Sequence, residues 1–177
     1  MIIGFTGKKK AGKDTASLIL INKHNFISLA FADPLKKGAK ELFDLSDEQL
    51  HDQTKKEIID ERWNMSPRQI LQWLGTDILR NNISDEIFIT NMKNKLKNNS
   101  HKYIIITDVR FDNEAEMIKN LGGIIININR NNIDESKDNH ITESGINSKY
   151  IDINIDNNGT IDELHNKVLN IFDDLNK

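Results

Sequence analysis

The segment that most restricts the fold of this chain runs from Gly7 to Thr15 and reads Gly-Lys-Lys-Lys-Ala-Gly-Lys-Asp-Thr. An apolar run, residues 1–6, precedes it, and apolar residues at helical spacing follow it from Gly12 to Asn22. Two glycines in such a turn let backbone N–H groups converge at a helix N-terminus, where an anion is stabilised. This is the spacing and the context of a P-loop. The segment therefore predicts a binding site for nucleotide phosphates; the alternative is a glycine-containing surface turn.

Individual residues of this loop have predicted roles. Gly7 and Gly12 shape the backbone, and Lys13 reaches the β- and γ-phosphates as a point charge. Asp14 stands where Ser or Thr usually ligates Mg²⁺. It either complements the helix dipole or meets the metal, directly or through water, because beside phosphates it would otherwise repel the nucleotide. We predict that Asp14 contacts Mg²⁺ and that Thr15 donates a hydrogen bond to the α-phosphate. Lys10 is predicted to bind ATP, and Lys9 to bridge the donor and acceptor phosphates.

The rest of the chain alternates strand and helix patterns. Strands are predicted at residues 26–31, 102–107, 124–129 and 150–155. One helix is predicted to start with Asp33 as its cap, and another to begin at Thr160. This alternation predicts an α/β fold of three layers, with a mostly parallel sheet covered on both faces. We expect one domain, with core residues 1–32, 101–130 and 149–177, a helical insertion at 33–100 and a polar, lid-like segment at 131–148.

Composition excludes several classes of function. The chain of 177 residues has a formal net charge of −3 and an isoelectric point of about 6.0, so no nucleic-acid or membrane partner is expected. Cysteine is absent, which excludes disulfides, thiolate nucleophiles and cysteine zinc sites. No apolar run approaches the ~20 residues of a membrane span, and the first residues resemble a strand rather than a signal peptide. We therefore expect a cytoplasmic protein.

Two further segments carry candidate site residues. Asp108 and Arg110 follow the strongest strand pattern, at the sheet edge where α/β folds bind ligands, so Asp108 is a candidate for Mg²⁺ or a proton and Arg110 for a phosphate. The alternative is a helix cap and a solvated arginine. In the insertion, Ser66 and Pro67 start a helix on which an apolar sector opposes a polar one. The polar sector suits an acceptor phosphate and a base, and it comprises Arg68, Gln72, Gly75 and Thr76.

Read together, these motifs resemble the phage-type deoxynucleoside monophosphate kinases. The matching segments, in the order of that family and over nearly the whole chain, are 7–15, 74–77 (Leu-Gly-Thr-Asp), 108–110 with 113–114, 122–123 before a strand that ends at Arg130, and 140–143 (His-Ile-Thr-Glu). The resemblance implies a P-loop nucleoside monophosphate kinase fold with a five-stranded parallel sheet in the order 2-3-1-4-5. It also implies phosphate transfer from Mg·ATP to a deoxynucleoside monophosphate, and it is compatible with a homodimer.

The resemblance also implies site residues. Gly12, Asp14 and Thr15 would bind ATP, and Arg130 with the following segment to Glu143 would belong to the lid. The acceptor site would be lined by Lys9, Leu35, Lys36, Arg68, Gly75, Thr76 and Phe88. Lys13, Arg68 and Arg110 together with Mg²⁺ would neutralise the transferred phosphoryl group. The stretch between Leu45 and Ser66 is shorter than this family leads us to expect, which leaves the accepted base open.

Two alternatives remain at the level of sequence. Phosphomevalonate kinases of the animal type have a similar loop, and dephospho-coenzyme A kinases share the architecture; residues 74–77 and 140–143 favour the nucleotide as acceptor. A nucleotide-binding module without catalysis is the other alternative. It would be expected to lack the lysine or the arginines, whereas Lys13, Arg68 and Arg110 are present.

Overall fold

The computed structural model describes residues 1–99, 101–131 and 145–177. These residues group into two compact units, the first formed by Met1–Ala30 with Asn99–Lys177 and the second by Phe31–Asn98. Within the described ranges, no helix has the length and apolar character needed to cross a bilayer. The prediction of a single domain with an insertion and a lid stays a prediction, and most of the predicted lid, residues 132–144, lies outside the described residues.

The first unit contains a sheet of five parallel strands in the order β2-β3-β1-β4-β5, which confirms the predicted fold class. The strands are β1 (Ile2–Thr6), β2 (Ile27–Leu29), β3 (Ile104–Ile106), β4 (Ile124–Asn129) and β5 (Ile153–Asp156). Because β1 is the central strand, the glycine-rich loop that follows it leaves from the middle of the carboxyl edge of the sheet. Open α/β sheets bind their ligands at this edge.

Helices cover both faces of this sheet. On one face, Phe5 and Ile128 pack against α1 (Lys13–His24) and α7 (Ile161–Leu175), in a core that includes Leu20 and Phe172. On the other face lies α6 (Asp112–Asn120), which approaches β1 closely at Gly4. A Cβ on Gly4 would stand 2.9 Å from the Ile118 side chain, so this packing depends on a residue without a side chain.

The second unit is helical. Its elements are α2 (Asp33–Phe43), α3 (Asp47–His51), a 3₁₀ turn (Lys55–Glu57), α4 (Pro67–Gln72), a π-helix (Trp73–Arg80) that continues α4, and α5 (Ile87–Lys97). Ala39, Leu45, Leu50 and Ile70 form a buried core. Ser66 caps α4 as predicted: its side chain accepts from the Gln69 N–H, and the Gln69 side chain accepts from the Ser66 N–H.

The structure differs from the sequence predictions at several boundaries. Strand β2 is shorter than predicted: only Ile27–Leu29 pair with β3, and Phe26 and Phe31, which look like strand residues, are buried outside the strand. Tyr150 ends a 3₁₀ turn instead of starting β5, since the Asn147 side chain accepts the N–H of Lys149 and closes a turn there. Asp33 is the first residue of α2 and not its cap.

Candidate active site

The glycine-rich loop is built around two positions that only glycine fits. Gly7 has a φ of 127° and Gly12 a φ of 106°, both in a region that side chains disfavour. A Cβ on Gly7 would stand 2.3 Å from the carbonyl oxygen of Ile128, and one on Gly12 would stand 2.4 Å from Nδ2 of Asn157. Both glycines therefore allow close backbone approach to β4 and to the chain after β5, in agreement with their predicted role in shaping the loop.

Lys13 folds back over this loop. Its Nζ donates to the carbonyl oxygens of Gly7, at 2.7 Å, and of Lys8, at 2.9 Å. The ammonium group is thus held at the loop that it is predicted to serve. Lys10 adopts a φ of 63°, which is uncommon for a residue with a side chain, and is exposed, while Lys9 is half-buried.

The start of α1 offers uncapped donors. Because its N-cap residue is Gly12, the cap position supplies no side-chain acceptor to the N–H groups of the first turn. Such groups, together with the helix dipole, favour an anion. Asp14 is exposed in this turn and Thr15 is half-buried.

Asp108 and Arg110 lie beyond the end of β3, next to β1. The Val109 N–H donates to the carbonyl oxygen of Phe5 at 3.1 Å, which extends the pairing of the two strands past their regular ends. Glu114 then fixes the following turn, since its Oε2 accepts from the N–H groups of Arg110, at 2.8 Å, and of Phe111, at 3.2 Å. Glu114 is buried, so it holds the backbone of Arg110 from the interior of the protein.

A cavity of about 180 Å³ joins the loop to Arg110 within the first unit. Its lining includes Thr6, Gly7 and Lys8 from the loop side, Arg110, and the β4 residues Asn127 and Asn129. The two asparagines are linked, because Asn127 Nδ2 donates to Asn129 Oδ1 at 2.9 Å. The structure thus brings Arg110 to the first residues of the loop. It also adds two amide side chains, which sequence reasoning treated only as part of a strand.

Few metal ligands are preassembled here. Among the residues that the structure describes, no three His, Cys, Asp or Glu side chains are grouped so as to hold a metal. A Mg²⁺ ion bound with a nucleotide typically uses one or two carboxylates, the phosphates and water. Asp14 and Asp108 are carboxylates of the kind that such a site requires, and their assignment to the metal stays a prediction.

Of the predicted lid, Gly145 and Ile146 are described and line the cavity beside the glycine-rich loop. Arg130 is exposed directly after β4, and the next residue, Asn131, donates its N–H to Asn158 Oδ1 at 2.7 Å. Residues 140–143, which carry part of the resemblance, lie outside the described residues. The assignment of Arg130 to ATP stays a prediction.

In the second unit, the predicted acceptor residues lie on α2, α4, the π-helix and α5. Arg68 is half-buried and its Nε donates to Oε1 of Glu57 at 2.8 Å. Gly75 packs against α2: a Cβ there would stand 2.7 Å from Cδ2 of Leu35. Two predicted acceptor residues, Leu35 and Gly75, are therefore in contact with each other.

The π-helix changes which side chains share a face. Its wider turns are shown by the N–H of Asn81, which donates to the carbonyl oxygen of Thr76, five residues before it. Gly75 and Thr76 are buried, whereas a regular helix had predicted them on a polar face opposite the apolar one. Gln72 is half-buried. Single π-turns inside helices occur frequently at functional sites.

Phe88 is 6% exposed, and one face of its ring is covered. The guanidinium carbon of Arg80 lies 4.9 Å from the ring centroid, and Arg80 Nη1 donates to the carbonyl oxygen of Asp85 at 3.1 Å. Arg80 is not among the residues predicted from the sequence to belong to the site, and it is itself buried. The contact between this buried arginine and the Phe88 ring can be recognised only in the structure.

Lys36 lies in the first turn of α2, half-buried, where its charge acts on a neighbouring histidine. The pKa of His51 is lowered by burial above all and then by the positive charges of Lys36 and Lys56.

A separate ion pair lies farther along the second unit. The Arg62 side chain donates to both carboxylate oxygens of Asp60, at 2.9 and 2.6 Å. This pairing, with a smaller contribution from Gln49, holds the pKa of Asp60 well below its usual range.

The fold and this site define the chain as a P-loop kinase. A solved structure, TT1252 from Thermus thermophilus, has a similar fold, with a TM-score of 0.57 and 14% identity over 99% of this chain and 97% of that one. A family model described as deoxynucleotide monophosphate kinase matches residues 40–168. The chain belongs to the deoxynucleotide monophosphate kinase family, as the resemblance of its motifs predicted.

Individual relatives support this family assignment. A protein of Acanthamoeba polyphaga mimivirus, whose name carries this activity as a provisional assignment, is 42% identical over 98% of this chain and 96% of its own length. The deoxynucleotide monophosphate kinase of Enterobacteria phage T4 is 32% identical over 63% of this chain. The match takes in 46% of the phage protein, so this chain spans about half of that relative.

Proposed function

We propose that the protein transfers the γ-phosphate of Mg·ATP to a deoxynucleoside monophosphate and so forms the diphosphate. Family membership carries this proposal, and the geometry of the glycine-rich loop supports it. On the donor side, Gly7, Gly12 and Lys13 supply converging N–H groups and a cation for the ATP phosphates, while Lys10, Thr15 and Arg130 are further predicted contacts.

On the acceptor side, we assign the phosphate to Arg68, because a guanidinium group pairs well with phosphate oxygens. The ion pair between Arg68 and Glu57 supports this assignment, because the guanidinium of Arg68 already pairs with an anionic group. Lys9, Lys36, Gln72, Thr76 and the contacting pair Leu35 and Gly75 are the other acceptor contacts that we propose, with Phe88 supporting them from a buried position.

Little covalent chemistry is required of the protein. Phosphoryl transfer needs in-line placement of the acceptor oxygen and neutralisation of charge on the transferred group. We assign neutralisation to Lys13, Arg68 and Arg110, and Mg²⁺, which Asp14 and Asp108 would hold, supplies further positive charge when it is bound. An acceptor phosphate that is already ionised needs no general base.

An assay with a series of possible phosphate acceptors tests this proposal. ADP release is measured with Mg·ATP and each common deoxynucleoside monophosphate, the matching ribonucleotides, phosphomevalonate and dephospho-coenzyme A. We expect turnover only with one or more deoxynucleoside monophosphates. Turnover with phosphomevalonate or dephospho-coenzyme A alone would contradict the proposed substrate, and ATP binding without any acceptor-dependent turnover would favour a non-catalytic module. A homodimer and a cytoplasmic location stay predictions.

A further inference from the structure

Asn157 lies directly after β5, in the turn that leads to α7. Its backbone N–H donates to the carbonyl oxygen of Asn129 at 2.7 Å, which continues the pairing of β5 with β4 by one residue. The residue is 8% exposed, an unusual position for an asparagine in a surface turn. A buried amide needs hydrogen-bond partners, and the partner found here identifies its role.

The side chain of Asn157 contacts the glycine-rich loop. Its Nδ2 donates to the carbonyl oxygen of Ala11 at 2.8 Å, a buried hydrogen bond between residues 146 positions apart. The same nitrogen occupies the space that a side chain at position 12 would need, since a Cβ on Gly12 would stand 2.4 Å from it. Ala11 and Gly12 are thus held against the sheet by one amide group.

This hydrogen bond fixes the direction of the neighbouring Gly12 N–H. The Ala11 carbonyl and the Gly12 N–H belong to one planar peptide unit, in which the two groups point in opposite directions. Because the Ala11 oxygen is held towards Asn157, the Gly12 N–H is turned away from Asn157. Gly12 is the N-cap of α1, so its N–H lies beside the N–H groups of the first helical turn.

We propose that Asn157 is a positioning residue for the ATP phosphates: its side-chain amide sets the orientation of the peptide between Ala11 and Gly12. The proposal rests on the proposed use of this loop for ATP. Asn157 itself touches the loop and not the reacting atoms, so its effect is expected on nucleotide affinity and on the placement of the γ-phosphate. Free rotation of this peptide would turn one donor away from the phosphates and present a carbonyl oxygen to them.

The neighbouring Asn158 provides a matched control. It lies one residue farther along the same turn and is exposed, and its Oδ1 accepts from Asn131 and not from the loop. Asn157→Asp replaces the donating amide with a carboxylate oxygen that faces another oxygen, whereas Asn158→Asp keeps an acceptor at its place. Both variants add the same charge within one residue of each other, so a general electrostatic effect on ATP would appear in both.

The experiment measures Mg·ATP binding by calorimetry, together with KM for each substrate and the thermal unfolding midpoint. For Asn157→Asp we expect a Kd for Mg·ATP at least about tenfold higher, the factor that corresponds to ~1.4 kcal/mol. We expect KM for the deoxynucleoside monophosphate to change less than about twofold, because the altered peptide lies on the ATP side. Asn158→Asp is expected to match the wild type.

A lower unfolding midpoint with unchanged Mg·ATP affinity in Asn157→Asp would show a purely structural residue and overturn the proposal. Equal losses of affinity in both variants would overturn it as well. If Asn157→Asp does not fold, the same measurements on Asn157→Ser, which adds no buried charge, decide between these outcomes. Failure of the wild type to bind Mg·ATP would instead overturn the proposed function on which this inference rests.

Discussion

Lys13 Nζ donates a hydrogen bond of 2.7 Å to the carbonyl oxygen of Gly7, so the last part of the glycine-rich loop is tied to its first residue. A second bond of 2.9 Å, to the carbonyl oxygen of Lys8, holds the ammonium group in the same place. Both acceptors are uncharged carbonyl oxygens. Phosphate oxygens bind an ammonium group more strongly because they are ionised, so a bound nucleotide competes favourably for Lys13.

Replacement of Lys13 tests this relationship. We expect Lys13→Met to lower kcat by a factor of ~10² to 10³, the usual cost of removing one preorganised group that stabilises developing charge. Lys23→Met is the matched control, because Lys23 is an exposed lysine in the last turn of the same helix. Steady-state kinetics of both variants check the prediction, and similar losses in the two would contradict the role of Lys13.

Two glycine substitutions should have opposite effects on stability. Gly38 lies exposed within α2 with no atom near its missing side chain, so Gly38→Ala should raise the free energy of unfolding by ~0.5–1 kcal/mol. Gly7→Ala should lower the free energy of unfolding, since its Cβ would stand 2.3 Å from the Ile128 carbonyl oxygen and its φ is positive. Urea denaturation of the two variants measures both changes. A neutral Gly7→Ala would show that the loop has room that the structure does not give it.

Asp14 is predicted to meet Mg²⁺, and its removal should alter the dependence on the metal. Asp14→Asn keeps the size of the side chain and removes its charge, so we expect the Mg²⁺ concentration for half-maximal rate to rise about tenfold or more. Glu41→Gln, at an exposed position of α2, is a control for a general loss of charge. Unaltered Mg²⁺ dependence and turnover in Asp14→Asn would contradict the assignment.

The Asp60–Arg62 pair should make stability depend on acid. Arg62 lowers the pKa of Asp60 in the folded state, so the carboxylate contributes stability that is fully present above its unfolded pKa of ~3.9. This contribution is lost as the pH falls below that value towards the folded pKa. We therefore expect Asp60→Asn to destabilise the protein at pH ~6 and progressively less as the pH falls below ~4.

Denaturation midpoints of the wild type and Asp60→Asn between pH ~6 and ~3 test this expectation. Asp173→Asn, at an exposed position of α7, serves as the control. A difference between wild type and Asp60→Asn that does not shrink with acid would show that the pairing with Arg62 is not its source.

The fold could be predicted from the sequence where local pattern and tertiary environment agree. Strand β4 was predicted with its observed bounds because Gly123 precedes it and Arg130 follows it. The sheet order followed from the resemblance of the motifs. The capping of α4 by Ser66 was also foreseen, since a serine before a proline at the start of an apolar pattern is a local signal.

The missed features depend on contacts distant in sequence or on unusual backbone geometry. Gly75 and Thr76, which were expected on a polar face, are buried and lie in a π-helix, of which a pattern at 3.6 residues per turn contains no sign. Asn157 belongs to a polar turn ahead of a helix and looked like an ordinary loop residue. Its hydrogen bond to Ala11 exists only because the fold brings together two residues that are 146 positions apart.

We propose above all that the glycine-rich loop delivers the γ-phosphate to a deoxynucleoside monophosphate. The most direct measurement follows ATP labelled at the γ-phosphate, with Mg²⁺ and each common deoxynucleoside monophosphate, and separates the nucleotide products of the wild type and of Lys13→Met. We predict label in a deoxynucleoside diphosphate for the wild type and little or none for Lys13→Met. Label found only in inorganic phosphate, or equal transfer by both proteins, would contradict it.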